Sequence, residues 1–280
     1  MMKKILAVFD GYKMSGSTLD YAIQVSKATN AHLVGVFLDE RIYHSYSVYS
    51  VITTSEKPQL AMKRFDARDK KKRDNAVRKF QRVCGQAGIP YSIQRDTGIA
   101  IQELKHESMF ADLVIINEYE SFSKRKEASP TRFVRDLLAD VQSPVLVVPA
   151  SYKPIDKIVL LYDGGPSSMF AIKMFSYVLG NLEELPVEVF TVKQRHMGSL
   201  NIPDSKLVRQ YIKRHFKKAT FISVRGDAEE EVPKFLSTQK ENELVVLGAY
   251  RRSGFSRMFR PSMADILMKE VDTPLFIAHQ

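Results

Sequence analysis

The chain has 280 residues, of which 44% are hydrophobic and 26% charged, with a net charge of +10 and a pI near 9.5. No apolar run approaches the roughly 20 residues of a membrane span, and Cys84 as the only cysteine excludes a disulfide framework. The length suits one large core or two ordinary domains. The lone thiol, and a start ("MMKKILAVFDG") too short in apolar residues for an export leader, point to a reducing cytoplasm.

In chain order, the first half reads as strands near 3–9, 32–38, 90–95, 112–117 and 144–148, with helices near 16–29, 60–86, 99–109 and 131–141. The second half reads as strands near 156–162, 186–192, 219–224, 243–248 and 274–278, with helices near 167–180, 204–216, 227–240 and 262–271. Continuous apolar strands separated by helices indicate parallel sheets covered on both faces. The segment "ERIYHSYSVYSVITTSEKPQ" (40–59) is long for a loop; Tyr43, Tyr46 and Tyr49 recur in it every third residue. It reads either as a surface loop or as a patch packing across a boundary.

The halves repeat one another. "KKILAVFDG" (3–11) returns as "DKIVLLYDG" (156–164), "ADLVIIN" (111–117) as "NELVVLG" (242–248), and "SPVLVVPA" (143–150) as "TPLFIAHQ" (273–280). The expectation is α/β: two tandem doubly wound domains, 1–150 and 154–280, each a five-stranded parallel sheet flanked by helices. The apolar final strands, 144–149 and 274–278, would leave exposed edges, so the two copies are expected to pair with each other through them.

Much of the positive charge sits in "KRFDARDKKKRDNAVRKFQR" (63–82), where Ala76, Val77, Phe80, Val83 and Cys84 keep helical spacing opposite the basic residues. A solvated helix face is the expectation. Stacking aromatics are not interleaved with the charges, which points away from nucleic acid. The six histidines are scattered without metal-ligand spacing, no Gly-x-Ser-x-Gly elbow occurs, and Cys84 lies on an apolar helix face. No catalytic or metal centre is expected.

Both copies carry a strand ending in Asp-Gly, a Ser five residues after the Asp, and an Ala in the following helix: Asp10, Ser15 and Ala22, then Asp163, Ser168 and Ala171. Small-residue turns precede the third helix at Gly98 and Gly226, and Ser-Pro or Thr-Pro precedes the last strand. In these features the chain resembles the universal stress protein family in its tandem two-domain form. The resemblance implies a cytoplasmic stress-response protein, ATP or another adenine nucleotide as ligand, and dimerisation through the last strand. It implies that Asp10 and Asp163 contact the adenine end, with backbone near Val36 and Val189 flanking the base. The residues alone also allow each Asp to be a turn residue that caps the next amides.

After the fourth strand, nucleotide-binding members carry Gly, two residues, Gly, nine residues, then Gly-Ser or Gly-Thr. The equivalent positions are Gly248, Arg251, Pro261 and Ser262 in the second copy, and Asn117, Glu120, Pro130 and Thr131 in the first. Proline has no N–H to donate to phosphate, and it suits the first turn of a helix instead. Glu120 adds a carboxylate, whereas Arg251, Arg252, Arg257 and Arg260 add cations. The expectation is therefore a non-catalytic protein with degenerate nucleotide-binding loops and no tightly held triphosphate, the second copy keeping the better residual site. The alternative is an ATP- or AMP-binding switch with slow or no hydrolysis, and a third reading is a basic scaffold for nucleic acid. The sequence names no cofactor and no partner protein, and leaves a homodimer open.

Overall fold

The computed structural model describes residues 2–11, 14–38, 58–96, 99–122, 127–182, 184–194, 201–239, 241–248 and 262–279, with 58–62, 65, 66 and 96 described by backbone alone. The described chain forms two compact units, Met1–Gln142 and Ser143–Gln280.

In the first unit, β1 (Lys4–Asp10), β2 (His32–Leu38), β3 (Tyr91–Asp96) and β4 (Leu113–Asn117) lie in the order β3-β2-β1-β4. Every ladder with a defined register is parallel. Among the described residues, α1 (Gly16–Thr29), α2 (Pro58–Ala87) and α3 (Ala100–Ser108) connect these strands, and α4 (Arg132–Asp140) follows β4. The Val-, Ile- and Leu-rich runs of β1 and β4 are buried almost end to end. That is the signature of strands covered on both faces.

The second unit contains β5 (Val145–Val148), β6 (Lys157–Leu161), β7 (Val187–Lys193), β8 (Ala219–Arg225), β9 (Glu243–Leu247) and β10 (Leu275–Ile277), in the order β5-β10-β9-β6-β7-β8. Its helices are α5 (Pro166–Val178), α6 (Ser205–His215), α7 (Ala228–Ser237) and α8 (Met263–Glu270). β6 and β9 are wholly buried. One ladder is antiparallel: β10 pairs with β5, with Leu275 opposite Val147 and Ile277 opposite Val145. The two apolar final strands thus cover each other's hydrogen-bonding edges, as expected for strands that would otherwise invite aggregation.

The largest buried side chain on the described part of α2 is Phe80. Phe80 is fully buried and sits in a hollow made by Gly35 of β2, where an added Cβ would lie 2.7 Å from the ring. Phe9, Phe37 and Tyr91 surround it, each with its ring centroid 5.8 Å from that of Phe80. Edge-on packing of this kind adds to simple area burial. Phe80→Ala is expected to destabilise the first unit by about 3–5 kcal/mol, read as a lower urea midpoint. A loss below about 1 kcal/mol would show that α2 is not held there.

A charged cluster lies where β6, β7 and β9 begin. Lys157 is buried, with its Nζ 2.9 Å from Glu188 Oε2 and 2.9 Å from Gln239 Oε1. Glu243, opposite Lys157 in the ladder, is also buried, and its Oε1 has no hydrogen-bond partner. Burial pushes the Glu243 carboxyl above its ordinary range, against the pull of Lys157. A raised carboxyl pKa means that stability is fully present below the unfolded-state value and is lost as pH rises through the folded-state value. Glu243→Gln should therefore stabilise the second unit at neutral pH by about 1 kcal/mol. That advantage should shrink as the pH is lowered below the ordinary carboxyl range, measured by denaturation at several pH values; a pH-independent effect would contradict this account.

Candidate functional site

In a doubly wound sheet, ligands bind outside the carboxyl ends of the strands where the strand order reverses. That point lies between β1 and β4 in the first unit and between β6 and β9 in the second. The loops that follow these strands carry most of the residues picked out from the sequence.

In the second unit, Asp163 is exposed in the turn after β6, and its Oδ1 accepts hydrogen bonds from Gly165 N (2.7 Å) and Ser168 Oγ (2.6 Å). This explains why a serine follows five residues later: it ties the turn to the first turn of α5. Gly164 has φ +86°, and a Cβ there would meet Pro203 at 2.6 Å, so the turn requires glycine on both counts. Pro166 occupies the first turn of α5, where proline is well placed. Tyr162 is buried beneath this turn, and burial followed by the charges of Asp204 and Asp163 raises its hydroxyl pKa.

Gly248, just after β9, is pressed against α5. A Cβ at this position would lie 2.5 Å from the carbonyl oxygen of Ser167 and 2.5 Å from its Oγ. Close approach of a helix to a strand end is what demands glycine here. At α8, Ser262 is the N-cap: its Oγ accepts from Asp265 N (3.1 Å), and its own N–H donates to Asp265 Oδ2 (3.1 Å). This reciprocal capping box leaves the Ser262 N–H and hydroxyl already committed. A carboxylate of the chain itself thus accepts the N–H of the residue that opens this helix.

The first unit makes the same arrangement with different residues. Thr131 caps α4 by accepting from Val134 N (3.2 Å), and Glu127 Oε2 accepts from Arg132 N (2.8 Å), the first amide of that helix. Asn117 is buried at the end of β4, with its side chain accepting from Tyr119 N (3.0 Å). Glu118 and Glu120 are also buried; Ser129 Oγ donates to Glu118 Oε2 at 2.7 Å, and Thr131 Oγ1 donates to the Glu120 carbonyl. Asp10 is buried at the end of β1, and the aliphatic stem of Arg73 passes beside the neighbouring Gly11. Asp10, Glu118 and Glu120 thus place three buried carboxylates in and just after β1 and β4.

Pro130 departs from the sequence expectation. It follows a cis peptide bond and precedes the Thr131 cap, so it stands outside the first turn of α4. Pro261, Arg251, Arg252, Arg257, Arg260, Gly98 and residues 40–57 lie outside the described residues. α8 itself begins at Met263, after the Ser262 cap.

Val36 and Val189 are fully buried within β2 and β7. Val36 is flanked by Val8 and Gln94, and Val189 by Leu160 and Phe221. Their strands continue to Leu38 and Lys193, so neither valine ends its strand. The structure places Asp163 and Gly248 just past the carboxyl ends of β6 and β9 and Ser262 at the start of α8; Asp10 and Asn117 end β1 and β4, and Thr131 caps α4. Sequence reasoning missed Asp265, Glu127 and Arg73. For Asp265 the signal was present: Ser-x-x-Asp before an apolar run is a capping-box pattern.

Among the described residues no group of three or more His, Cys, Asp or Glu could hold a metal. Cys84 is fully buried, and burial pushes its thiol up to about 11, away from the thiolate needed for nucleophilic work.

The sequence matches no protein-family model and no curated protein. Solved structures do match. A universal stress protein from Archaeoglobus fulgidus superposes with a TM-score of 0.70 at 13% identity, covering 99% of this chain and 98% of that one. A functionally unknown protein from Pseudomonas aeruginosa gives 0.62 at 14% identity, and a putative universal stress protein from the same species gives 0.58 at 16%. Each covers 99% of this chain and 92% of the other. The fold is that of the universal stress proteins. Against that fold, the crevice of each unit has its helix start capped by a carboxylate from its own chain.

The Gly248 contact yields a direct test. Gly248→Ala forces its methyl group into the Ser167 backbone and should cost about 1–3 kcal/mol in thermal or urea unfolding, with or without nucleotide present. A variant as stable as the natural chain would refute the packing role.

Proposed function

We propose that this protein is a non-catalytic, cytoplasmic stress-response protein of the universal stress type, in which the nucleotide crevices have closed and interaction has replaced turnover. The observation that carries this reading is the occupation of both helix starts by internal carboxylates, Asp265 at α8 and Glu127 at α4. An incoming triphosphate must displace a covalently tethered anion at each place and approach buried Glu118 and Glu120 in the first unit. Like charges brought together in a desolvated cleft oppose binding. The sequence repeats, 1–150 and 154–280, are proposed as the domains, and the β5–β10 ladder supports pairing of the copies through their last strands.

A second reading is favoured by one observation. Asp163 is exposed at the switch point of the second unit beside Gly248, so a weakly held adenine nucleotide has a foothold there. In this reading Arg251 and Ser262 meet the anion.

Calorimetric titration with ATP, AMP and inorganic phosphate separates the two. The expected result is no ATP binding in the micromolar range, which corresponds to about −8 kcal/mol. Asp265→Asn removes the competing charge from α8 and should strengthen any residual binding by roughly tenfold, at a cost of about 1 kcal/mol in stability. ATP retained at full occupancy through purification of the natural chain would overturn the proposal.

A further inference from the structure

The universal stress fold does not account for the basic face of α2. This helix runs for 30 residues, whereas α6, which follows β7, the strand beside β6 as β2 is beside β1, has 11. Between 63 and 82 it carries ten Lys or Arg against three Asp, most of the chain's positive excess. The sequence alone reads this as a solvated face. The structure shows how the charges are arranged.

At about 100° per residue, Arg64, Arg68, Lys71, Arg78 and Arg82 fall in one row along the helix, with Asn75 between them. All six are exposed. The opposite face carries Val77, Phe80 and Cys84, which are buried against the first unit. The three Asp lie off the row, and Asp74 is turned aside to Arg95 at 3.2 Å. No carboxylate among the described residues pairs with any of the five cations. The row is straight and about 27 Å long, from a rise of about 1.5 Å per residue.

Such a row is costly by itself. Arg64 and Arg68, and Arg78 and Arg82, are like charges four residues apart, and each such pair disfavours the helix. A bound polyanion would relieve that repulsion. The row offers no apolar anchor for a peptide partner. Among the described side chains of α2, Ala76, Val77, Phe80 and Cys84 are buried in the unit and so are withheld from a bilayer, which a membrane-lying helix would have to enter. Charge alone remains, and regular phosphodiester charge fits it: about 27 Å of duplex presents on the order of fifteen phosphates.

We propose that the exposed row Arg64–Arg68–Lys71–Arg78–Arg82 of α2 is a docking surface for the phosphate backbone of nucleic acid, read without regard to base sequence.

The test is fluorescence anisotropy of a labelled 30-base-pair DNA duplex with the full chain, titrated from 50 to 200 mM salt. If the five cations each meet a phosphate, log K should fall with log salt with a slope of about −4 to −5. The triple reversal Arg64→Glu/Arg68→Glu/Lys71→Glu should weaken binding at least tenfold and flatten the slope by about 3. The control reversal Lys206→Glu/Lys213→Glu/Lys269→Glu makes the same change in net charge at exposed positions elsewhere, and should leave the slope intact. Circular dichroism melts establish that both variants fold. Duplex should also raise the helical signal of the natural chain, as relief of repulsion requires.

Three results would overturn the proposal. One is no duplex binding at 50 mM salt. Another is an equal loss in both reversal variants, which would mean bulk charge only. The third is row-dependent sedimentation with vesicles containing 30% anionic lipid but no duplex binding, which would assign the row to membranes.

Discussion

Parallel strands buried on both faces have no room for polar side chains along their length, so the chemistry of such a sheet is driven to its ends. β1, β4, β6 and β9 show this directly. Their interior residues are apolar and inaccessible, and Asp10, Asn117, Lys157, Asp163 and Glu243 appear only where strands start or stop. The carboxyl ends carry helix starts and turns, which donate amides and attract anions. The amino ends carry a buried lysine with its carboxylates. Among the described residues, the features that distinguish this protein from a generic α/β domain sit at those two levels and on the outer face of α2.

At the carboxyl ends, helix starts create a demand for negative charge that something must meet. Here the chain meets it internally, by a capping box at α8 and by Glu127 at α4. The two units reach this end by different local routes, with Asp265 inside its helix and Glu127 preceding it. An N-terminus satisfied by a tethered carboxylate gains little from a free anion, because the ligand must replace an interaction already made at high effective concentration. In the function proposed above, competition closes the crevice as well as the loss of donors.

Most of the fold was legible in the sequence because strand identity depends on short-range pattern. Runs such as "ILAVF" and "LVVL" bounded by turn residues leave few alternatives, and the repeat fixed the order of elements twice over. The site was legible only in part. Asp163 as a cap for Gly165 follows from Asp-Gly turn chemistry, and Ser262 as a helix cap follows from its residue type. Pro130 was read as a first-turn residue but stands before the Thr131 cap, since proline favours positions on either side of a cap and composition does not separate them. The seating of Gly248 on Ser167, and of Phe80 in the hollow at Gly35, depends on residues 81 and 45 apart in the chain. Neither contact leaves a local trace.

The position of Gly248 bears on how such chains diverge. Backbone atoms of another helix fill the space that any side chain would need. Genetic drift at this codon is therefore blocked by sterics, whatever the ligand. A lineage that abandoned nucleotide binding would keep this glycine while its loop neighbours changed freely. A lone glycine surviving in an otherwise eroded phosphate loop is then a record of helix–strand proximity, and tells nothing about when, or whether, an ancestor held a ligand.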